Sequence, residues 1–393
     1  MQNNFIIELL GIKDKNVDVW DMHQSDNVLT VELYTKVKQQ KCPTCNTKTK
    51  LSHAYRTQAI QGPILSGISV QVLLKKRRYF CKGCNRTFFE RLQMVEHYQR
   101  CLNSLQMTAL TYAAVNSFKT AARMVGITTN RLIRLFDCRK IETKKVLPRV
   151  IGIDEFKGDA GGERFQTIVA DLENKEIIEI LPDRKIDTIM AYLRSCDTGN
   201  VQIVVMDLSK AFKSAVRKAL GNPLIIADRF HYMRQVYWAF DAVRREVQHD
   251  LEKKDRIHMK RSKELLWKSI YKLSDEERER VAELLKVDSR LQEAYELKTK
   301  LDQWFKESNE YTAKKGFEYC LKLMKDSNIP AFEKVVKTFK NWKTEILNSF
   351  LYPFNNGYIE GVNNKIKVLK RNSYGIKSFE RLRKKILWQE LVE

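Results

Sequence analysis

The sequence predicts a multi-domain α+β chain, and three observations carry that prediction. Two Cys-x-x-Cys pairs fall within residues 42–84. From Pro148 to Asp228, apolar strand-like runs alternate with helical stretches. Between His231 and Phe350, charged and apolar residues then alternate at helical period, with one glycine, Gly316, and one proline, Pro330. The expected domains are an N-terminal metal-stapled domain over 1–95 and a helical domain over 96–145. An α/β core follows over 148–230 and 351–393, interrupted by an all-helical insertion over 231–350.

Composition narrows the partners. Lys and Arg number 71 against 48 Asp and Glu, a formal charge of +23 in 393 residues. Such an excess asks for a polyanion, and nucleic acid fits it better than a membrane surface. The chain has no run of 18 apolar residues, and Met1 to Leu10 carries no basic stretch before its apolar residues. A soluble, unexported protein is the expectation. Eight cysteines, four of them in the two pairs, fit a metal site in a reducing compartment rather than a disulfide framework.

In the N-terminal domain, Val28 to Leu33 alternates as a strand does. Cys42-Pro43-Thr44-Cys45 and Cys81-Lys82-Gly83-Cys84 then read as two knuckles, each offering two thiolates from a tight turn. Cys42, Cys45, Cys81 and Cys84 together would close a tetrahedral site around one structural Zn²⁺. The 35 intervening residues are more than the usual spacing of about 15–20. A zinc ribbon with an inserted hairpin accommodates them; a redox dithiol or two unrelated pairs is the other reading. Basic and aromatic residues crowd the second knuckle, among them Lys76, Arg78, Phe88 and Phe89, without saying what they bind. His53 and His97 read as ordinary residues rather than ligands.

Residues 118–135 have helix-turn-helix spacing. Ala122 lets two helices approach, Gly126 supplies the turn, and Thr128 or Thr129 caps the second helix. Ile127, Leu132 and Ile133 would pack beneath. Asn130, Arg131 and Arg134 would face the major groove of DNA. A plain helical hairpin between domains is the alternative.

The α/β core begins with a buried strand over Arg149–Phe156. A hairpin follows (Phe165–Asp171 and Glu176–Leu181), then a helix over Asp187–Cys196. A strand over Val201–Asp207, a helix capped by Ser209 and a strand over Pro223–Asp228 complete it. Strand, hairpin, helix, strand, helix, strand, helix is the order of an RNase H-like fold. Asp154 stands on the first strand, Asp207 at the end of a neighbouring one, and Glu360 on a late helix. These are the places where such a fold holds carboxylates around two Mg²⁺ (or Mn²⁺) ions that clamp a phosphodiester. Around Glu360, Ile359, Val362, Ile366 and Leu369 form one helix stripe. Glu360, Asn364, Lys367 and Arg371 form another, a carboxylate followed by phosphate contacts. The plainer readings are a strand-end turn for Asp154, a helix cap for Asp207 and a solvated helix for Glu360. Glu155 alternates to the other strand face and is a weaker ligand.

These blocks resemble the ISL-three group of bacterial insertion-sequence transposases, of the Asp-Asp-Glu class, over nearly the whole chain. The resemblance rests on the Cys42 to Cys84 ribbon, the Ala122 to Arg134 segment, Ile151-Gly152-Ile153-Asp154-Glu155, Val205-Met206-Asp207, Ala227-Asp228-Arg229-Phe230-His231 and residues 356–367. It implies a DNA transposase that binds the ends of its element, cleaves them and joins the 3′-hydroxyls to target DNA. Asp154, Asp207 and Glu360 would hold the catalytic ions. Asp228 and His231 match an Asp-Arg-Phe-His motif. They either support the active site or fix the start of the insertion. A homodimer or higher oligomer on DNA, in the bacterial cytoplasm near the nucleoid, completes the expectation. The rival from another class is a DNA-binding regulator on an inactive core, and the three intact carboxylates argue against it. Trp238, Trp267, Trp304 and Trp342 of the insertion read as core rather than as stacking platforms for bases.

Overall fold

The computed structural model describes residues 2–96 and 99–392, so the expectation for His97 lies outside the described residues. The chain divides into two units, Met1–Glu142 with Lys367–Ile376 and Glu380–Glu393, and Thr143–Ile366 with Lys377–Phe379. None of the described helices is long and apolar enough to cross a membrane.

The first unit opens with α1 (Gln2–Leu9), β1 (Val17–Ser25), β2 (Val28–Thr35) and the two-residue strands β3 (Gln40–Lys41) and β4 (Lys48–Thr49). A long hairpin follows, β5 (Ser52–Leu65) and β6 (Ile68–Cys81), then β7 (Arg86–Phe89). Ser66 and Gly67 both have positive φ, 49° and 83°, which matches the hairpin turn to the right-handed strand twist. The sheet order is β1-β2-β6-β5 with β7 on β6, and β2 and β6 run parallel. Val70, Val72 and Leu74 point from β6 into a core shared with Val31, Leu33 and Ile60.

Three helices, α2 (Asn103–Val115), α3 (Phe118–Met124) and α4 (Thr129–Cys138), close that core through Leu105 and Ala109 of α2, Ala122 of α3 and Leu132 of α4. Ser117 caps α3 by accepting from Thr120 N, and Thr128 caps α4 by accepting from Arg131 N. Gly126 makes the turn between α3 and α4 at φ +71°. Ala121 and Ala122 are buried where α3 meets its neighbours. Leu132 and Phe136, at i and i+4, take the core face of α4, while Ile133 is only half-buried.

The second unit is built on a sheet of β8 (Val150–Ala160), β9 (Glu163–Asp171), β10 (Glu176–Leu181), β11 (Ile203–Met206) and β12 (Leu224–Ala227), ordered β10-β9-β8-β11-β12. β8, β9 and β10 are antiparallel neighbours; β8, β11 and β12 run parallel. The parallel crossovers are α5 (Ile186–Arg194) and α6 (Lys210–Leu220). Ile189, Leu193, Phe212 and Val216 from these helices cover Ile151, Ile153 and Val204. Burial on both sheet faces explains the nearly continuous apolar runs of β8 and β11.

Beyond β12 the chain is helical: α7 (Arg229–Asp250), α8 (Lys253–Arg261), α9 (Lys263–Trp267), a short 3₁₀ turn, then α10 (Asp275–Leu285), α11 (Ser289–Glu307), α12 (Ala313–Asp326), α13 (Pro330–Asn341) and α14 (Lys343–Leu351). Their core centres on Trp304, Phe317, Phe339 and Tyr232. A Cβ on Gly316 would meet the Trp304 ring at 2.3 Å, which accounts for the one glycine of this stretch. Pro330 stands at the first turn of α13, where no hydrogen bond is lost. The last helices are α15 (Gly357–Asn372) and α16 (Phe379–Val392). Within the first unit, α16 is pinned to α4 and α2. Arg381 forms a two-pronged pair with Asp137 (2.9 and 2.7 Å), and Trp388 Nε1 donates to Leu110 O at 2.9 Å.

Candidate active site

Asp154 lies on β8 in the same alternating set as Gly152, opposite to Ile151 and Ile153. Helix α15 packs against that side. Ile359 approaches so closely that a Cβ on Gly152 would sit 2.6 Å from its Cδ1. The stripe of Ile359, Val362, Ile366 and Leu369 is buried. Asp207 follows β11 directly and Asp228 follows β12, both at the carboxyl ends of parallel strands, where open α/β sheets bind ligands. Ser209 rather than Asp207 caps α6, accepting from Phe212 N.

His231, in the first turn of α7, joins these pieces. Its Nδ1 lies 2.9 Å from Asp207 Oδ2 and 2.9 Å from an Arg234 guanidinium nitrogen. Ligand atoms of Asp154, Asp207 and His231 lie within 4.8 Å of one another, as do those of Asp228, His231 and Glu360. The three carboxylates singled out in the sequence are thus gathered as two adjoining groups that share His231. Asp228 also fixes the start of α15, because its Oδ1 accepts from Asn356 N at 3.1 Å. Asn363, one turn on from Glu360, donates through Nδ2 to Asp154 Oδ2 at 2.9 Å.

The electrostatics follow from crowding buried carboxylates. Burial and then the Asp207 charge push Asp154 up to about 7. Burial also raises Asp228, and burial with the Asp228 charge raises Glu360. Burial alone would depress the His231 imidazole. The hydrogen bond and charge of Asp207 outweigh it and hold His231 above the ordinary histidine range. Asp207 Oδ1 and Asp228 Oδ2 are buried with no hydrogen-bond partner among the described residues. Buried carboxylate oxygens left unpaired beside one another are what a divalent cation corrects.

Other residues fall outside this cluster. Glu155 is in neither ligand group; it pairs with Arg184 at 2.7 Å, and both line the pocket onto which Asp207 and His231 open. Asn364, Lys367 and Arg371 are exposed along α15. In the first unit Asn130 and Arg134 are exposed on α4. Arg131 is half-buried and reaches Gln61 Oε1 at 3.3 Å. Trp304 and Trp342 are buried and Trp267 partly so, but Trp238 is 51% exposed. Arg234 lies between the Phe230 and Trp238 rings, 5.2 and 4.8 Å from their centroids, beside the acidic cluster. The sequence pattern gave no role to Asn363, Asn356 or Arg234. Asn363 was accessible to it, since i+3 shares a helix face with Glu360 as i+4 does.

The four knuckle thiols form the second centre. Sγ of Cys42 lies 3.6 Å from that of Cys84, and Sγ of Cys45 lies 3.5 Å from that of Cys81. All four fall within 4.8 Å of one another. Tetrahedral zinc with Zn–S of about 2.3 Å needs sulfurs near ~3.8 Å apart, so the set fits. Asn46 and Asn85, each following a knuckle, take positive φ. A Cβ on Gly83 would strike Thr47 Oγ1 at 2.7 Å. Hydrogen bonding with Thr47 draws the Cys45 thiol down to about 6, while burial pushes Cys84 up to about 12.

Comparison with known proteins places the chain in a family. Residues 38–84 match a family described as the zinc-finger of transposase IS204/IS1001/IS1096/IS1165. The chain is 24% identical over 369 residues to the transposase for insertion sequence element IS1001 of Bordetella parapertussis, covering 89% of each. It is 23% identical over 256 residues to the transposase for insertion sequence element IS1557 of Mycobacterium tuberculosis, covering 58% of this chain and 57% of that one. A stretch of 56 residues, 14% of the chain, is 38% identical to part of an ATP-dependent protease of Lactococcus lactis and spans 18% of it. Residues 151–386, more than half of the chain, match the ISL3 transposase family. The chain belongs to the ISL3 (ISL-three) family of transposases.

Proposed function

We propose that this transposase binds the ends of its insertion sequence, cleaves them and joins the 3′-hydroxyls to target DNA at the cluster around His231. The single observation that carries this reading is the meeting of Asp154, Asp207, Asp228 and Glu360 about one imidazole at the carboxyl ends of β11 and β12. The strand order, with β8 central and α15 packed beside Asp154, supports an RNase H-like core built from 148–230 and the chain from 351 to Ile366, with an insertion over 231–350; Lys367–Ile376 and Glu380–Glu393, expected in that core, belong instead to the first unit. The caps and turn of α3 and α4 support a helix-turn-helix within 96–145, following a zinc ribbon within 1–95.

Asp154, Asp207 and Glu360 are the residues that would hold Mg²⁺ or Mn²⁺, two ions per site, and the unpaired carboxylate oxygens fit such ions. Bound there, two divalent ions would stabilise the attacking and leaving oxygens of an in-line displacement at phosphorus. Asp228 sets the start of α15 and so the place of Glu360. His231 holds Asp207, and Asn363 holds Asp154. Asn130, Arg131 and Arg134 on α4 would read the ends. Asn364, Lys367 and Arg371 would position phosphates. The protein would act as a homodimer or higher oligomer on DNA, in the cytoplasm of a bacterium.

The test is strand cleavage and strand transfer with Mg²⁺ on duplexes carrying the inverted repeats that flank the gene. Asp154→Asn, Asp207→Asn and Glu360→Gln should each abolish both reactions and keep DNA binding. Full strand transfer by Glu360→Gln would reject the assignment of Glu360 as a ligand.

A further inference from the structure

The zinc ribbon carries a cleft that the chemistry at the acidic cluster does not use. It has a volume of about 800 Å³ and lies between the β5–β6 hairpin and the segment after β7. Its origin is legible in the β6 register. Val70, Val72 and Leu74 fill the core, and the same alternating set continues as Lys76 and Arg78. Past Leu74 the buried positions of β6 shift to Arg77, Tyr79 and Cys81, and the face that carries Lys76 and Arg78 is left half-buried and cationic. Arg56 is the direct cross-strand partner of Lys76, and Gln58 that of Leu74. Arg91 and Arg100 from the segment after β7 line the same cleft, together with Phe88 and Phe89. Arg78 lies over the Phe89 ring, 5.7 Å from its centroid.

The cleft is short of anions. None of Arg56, Lys76, Arg91 and Arg100 forms an ion pair with a described residue. Of the two acidic residues at the cleft, Glu90 is buried and its Oε1 accepts from Thr35 Oγ1 at 2.6 Å and from Arg77 N at 2.7 Å, so its charge offsets part of the cationic set without pairing with any of the four. The other, Glu96, is exposed. Like charges opposite each other on paired strands repel, so Arg56 beside Lys76 is a local cost. Burial draws the Lys76 amine below the ordinary lysine range, against the Glu90 charge, which acts to raise it, and with the Arg56 charge adding a smaller push downward. A phosphate between the two would turn that repulsion into a pair of charge-assisted hydrogen bonds.

We propose that this cleft grips the sugar–phosphate backbone of duplex DNA, a contact separate from base reading by α4. The proposal rests on the transposase reading for its choice of polyanion. Backbone contacts fix register and supply salt-dependent affinity without reading sequence. The zinc ribbon therefore contributes a general DNA clamp.

The experiment uses the full-length, zinc-loaded chain and a short duplex of arbitrary sequence, with binding followed by fluorescence anisotropy across a salt series. Arg56→Ala/Lys76→Gln/Arg100→Ala should lower the slope of log Kobs against log salt by about 2–3, since each lost phosphate contact removes about 0.9. The charge-keeping variant Arg56→Lys/Lys76→Arg/Arg100→Lys should keep the parent slope. An unchanged slope in the neutralised variant, with zinc retained, overturns the clamp. Should that variant lose zinc, Arg56→Ala and Arg100→Ala alone, both at exposed side chains, must each lower the slope by about 0.9 or the assignment falls. If the parent itself does not bind the duplex, the transposase mechanism falls with the clamp. If the parent binds and only the cleft variants match it, the clamp alone is lost.

Discussion

Asn363 Nδ2 donates to Asp154 Oδ2 at 2.9 Å, joining helix α15 to the central strand β8 by a side-chain hydrogen bond. The bond orients a carboxylate that burial would otherwise leave poorly held. It also fixes the rotation of α15, and with it the direction of Glu360 one turn earlier. Groups that orient metal-ligating carboxylates commonly matter by about 10–100-fold in metal affinity or activity. Asn363→Leu should therefore lower cleavage by about that factor while duplex binding stays at the parent level. Cleavage at the parent rate would show that Asp154 needs no such support.

The raised Asp154 carboxyl gives a pH dependence with a definite sign. In the metal-free protein it stays protonated up to about 7, through burial and the neighbouring Asp207 charge. Its contribution to stability is complete below the ordinary aspartate range, near ~3.9, and is lost as pH rises through about 7. Divalent binding needs the ionised form, so Mn²⁺ affinity should rise with pH through that region and binding should release protons. Calorimetric titration in two buffers of different ionisation heat measures the proton count directly. Metal affinity that is flat from about pH 5.5 to about pH 8 would contradict the buried, protonated carboxyl.

The proposed reading of DNA by α4 separates three residues that the sequence treats alike. Asn130 and Arg134 are exposed, whereas Arg131 reaches Gln61 on β5. Arg134→Ala should reduce discrimination between terminal-repeat and arbitrary DNA by about 1–3 kcal/mol, the worth of a base-edge contact. Arg131→Ala should show a smaller loss, matched by Gln61→Ala if the side-chain pair positions α4. Equal and full loss from Arg131→Ala with no effect of Gln61→Ala would place Arg131 on the bases instead.

The helical tryptophans divide by burial. Trp304 packs among Phe317, Phe339, Phe350 and Tyr232, and its Nε1 donates to Ala313 O at 3.0 Å. Trp304→Ala should cost about 3–5 kcal/mol in denaturant unfolding. Trp238 is half exposed and its ring meets the Arg234 guanidinium, so Trp238→Ala should cost within about 1 kcal/mol. A severe loss of stability in Trp238→Ala would mean that this ring is structural after all.

Much of this was legible in the sequence where period and spacing carry the information. Each Cys-x-x-Cys knuckle is local, and the β5–β6 hairpin predicted between them returns Cys81 and Cys84 to Cys42 and Cys45. Glu176–Leu181 forms the strand its pattern predicts, and Ser209 caps the helix it was expected to cap. The stripe of Ile359, Val362, Ile366 and Leu369 is buried because helix period alone decides it. What stayed hidden depends on contacts distant in sequence. Nothing local shows that Asp228 would hold Asn356 N, 128 positions away, or that His231 would stand in both carboxylate groups. Reading the Glu360 face at i+4 favoured Asn364, which is exposed, over Asn363 at i+3, which meets Asp154. Trp238 fell to the general tendency of helical tryptophans to be core, which cannot distinguish a ring that covers the core from one beside an open site.

Gly152 tests whether α15 is placed by contact with β8. It sits in the strand that bears Asp154, and a Cβ there would meet Ile359 Cδ1 at 2.6 Å and Leu172 Cδ2 at 2.8 Å. Both are shorter than side chains tolerate, so Gly152→Ala must push α15 outward or force Ile359 from its rotamer. Overpacking of this kind costs about 1–3 kcal/mol. The displacement would also move Glu360 and Asn363, which share the helix with Ile359. Gly152→Ala should therefore lose cleavage more than stability, with DNA binding retained. Shortening the opposing side chain should give the space back: Gly152→Ala/Ile359→Val should recover part of the cleavage rate, whereas Ile359→Val alone should cost only about 0.5–1.5 kcal/mol and little activity. Rescue is the decisive readout, because a general loss of folding would not be repaired by removing one methyl group. If the double variant is as inactive as Gly152→Ala while remaining folded, the close approach of α15 to β8 is not what sets the position of Glu360.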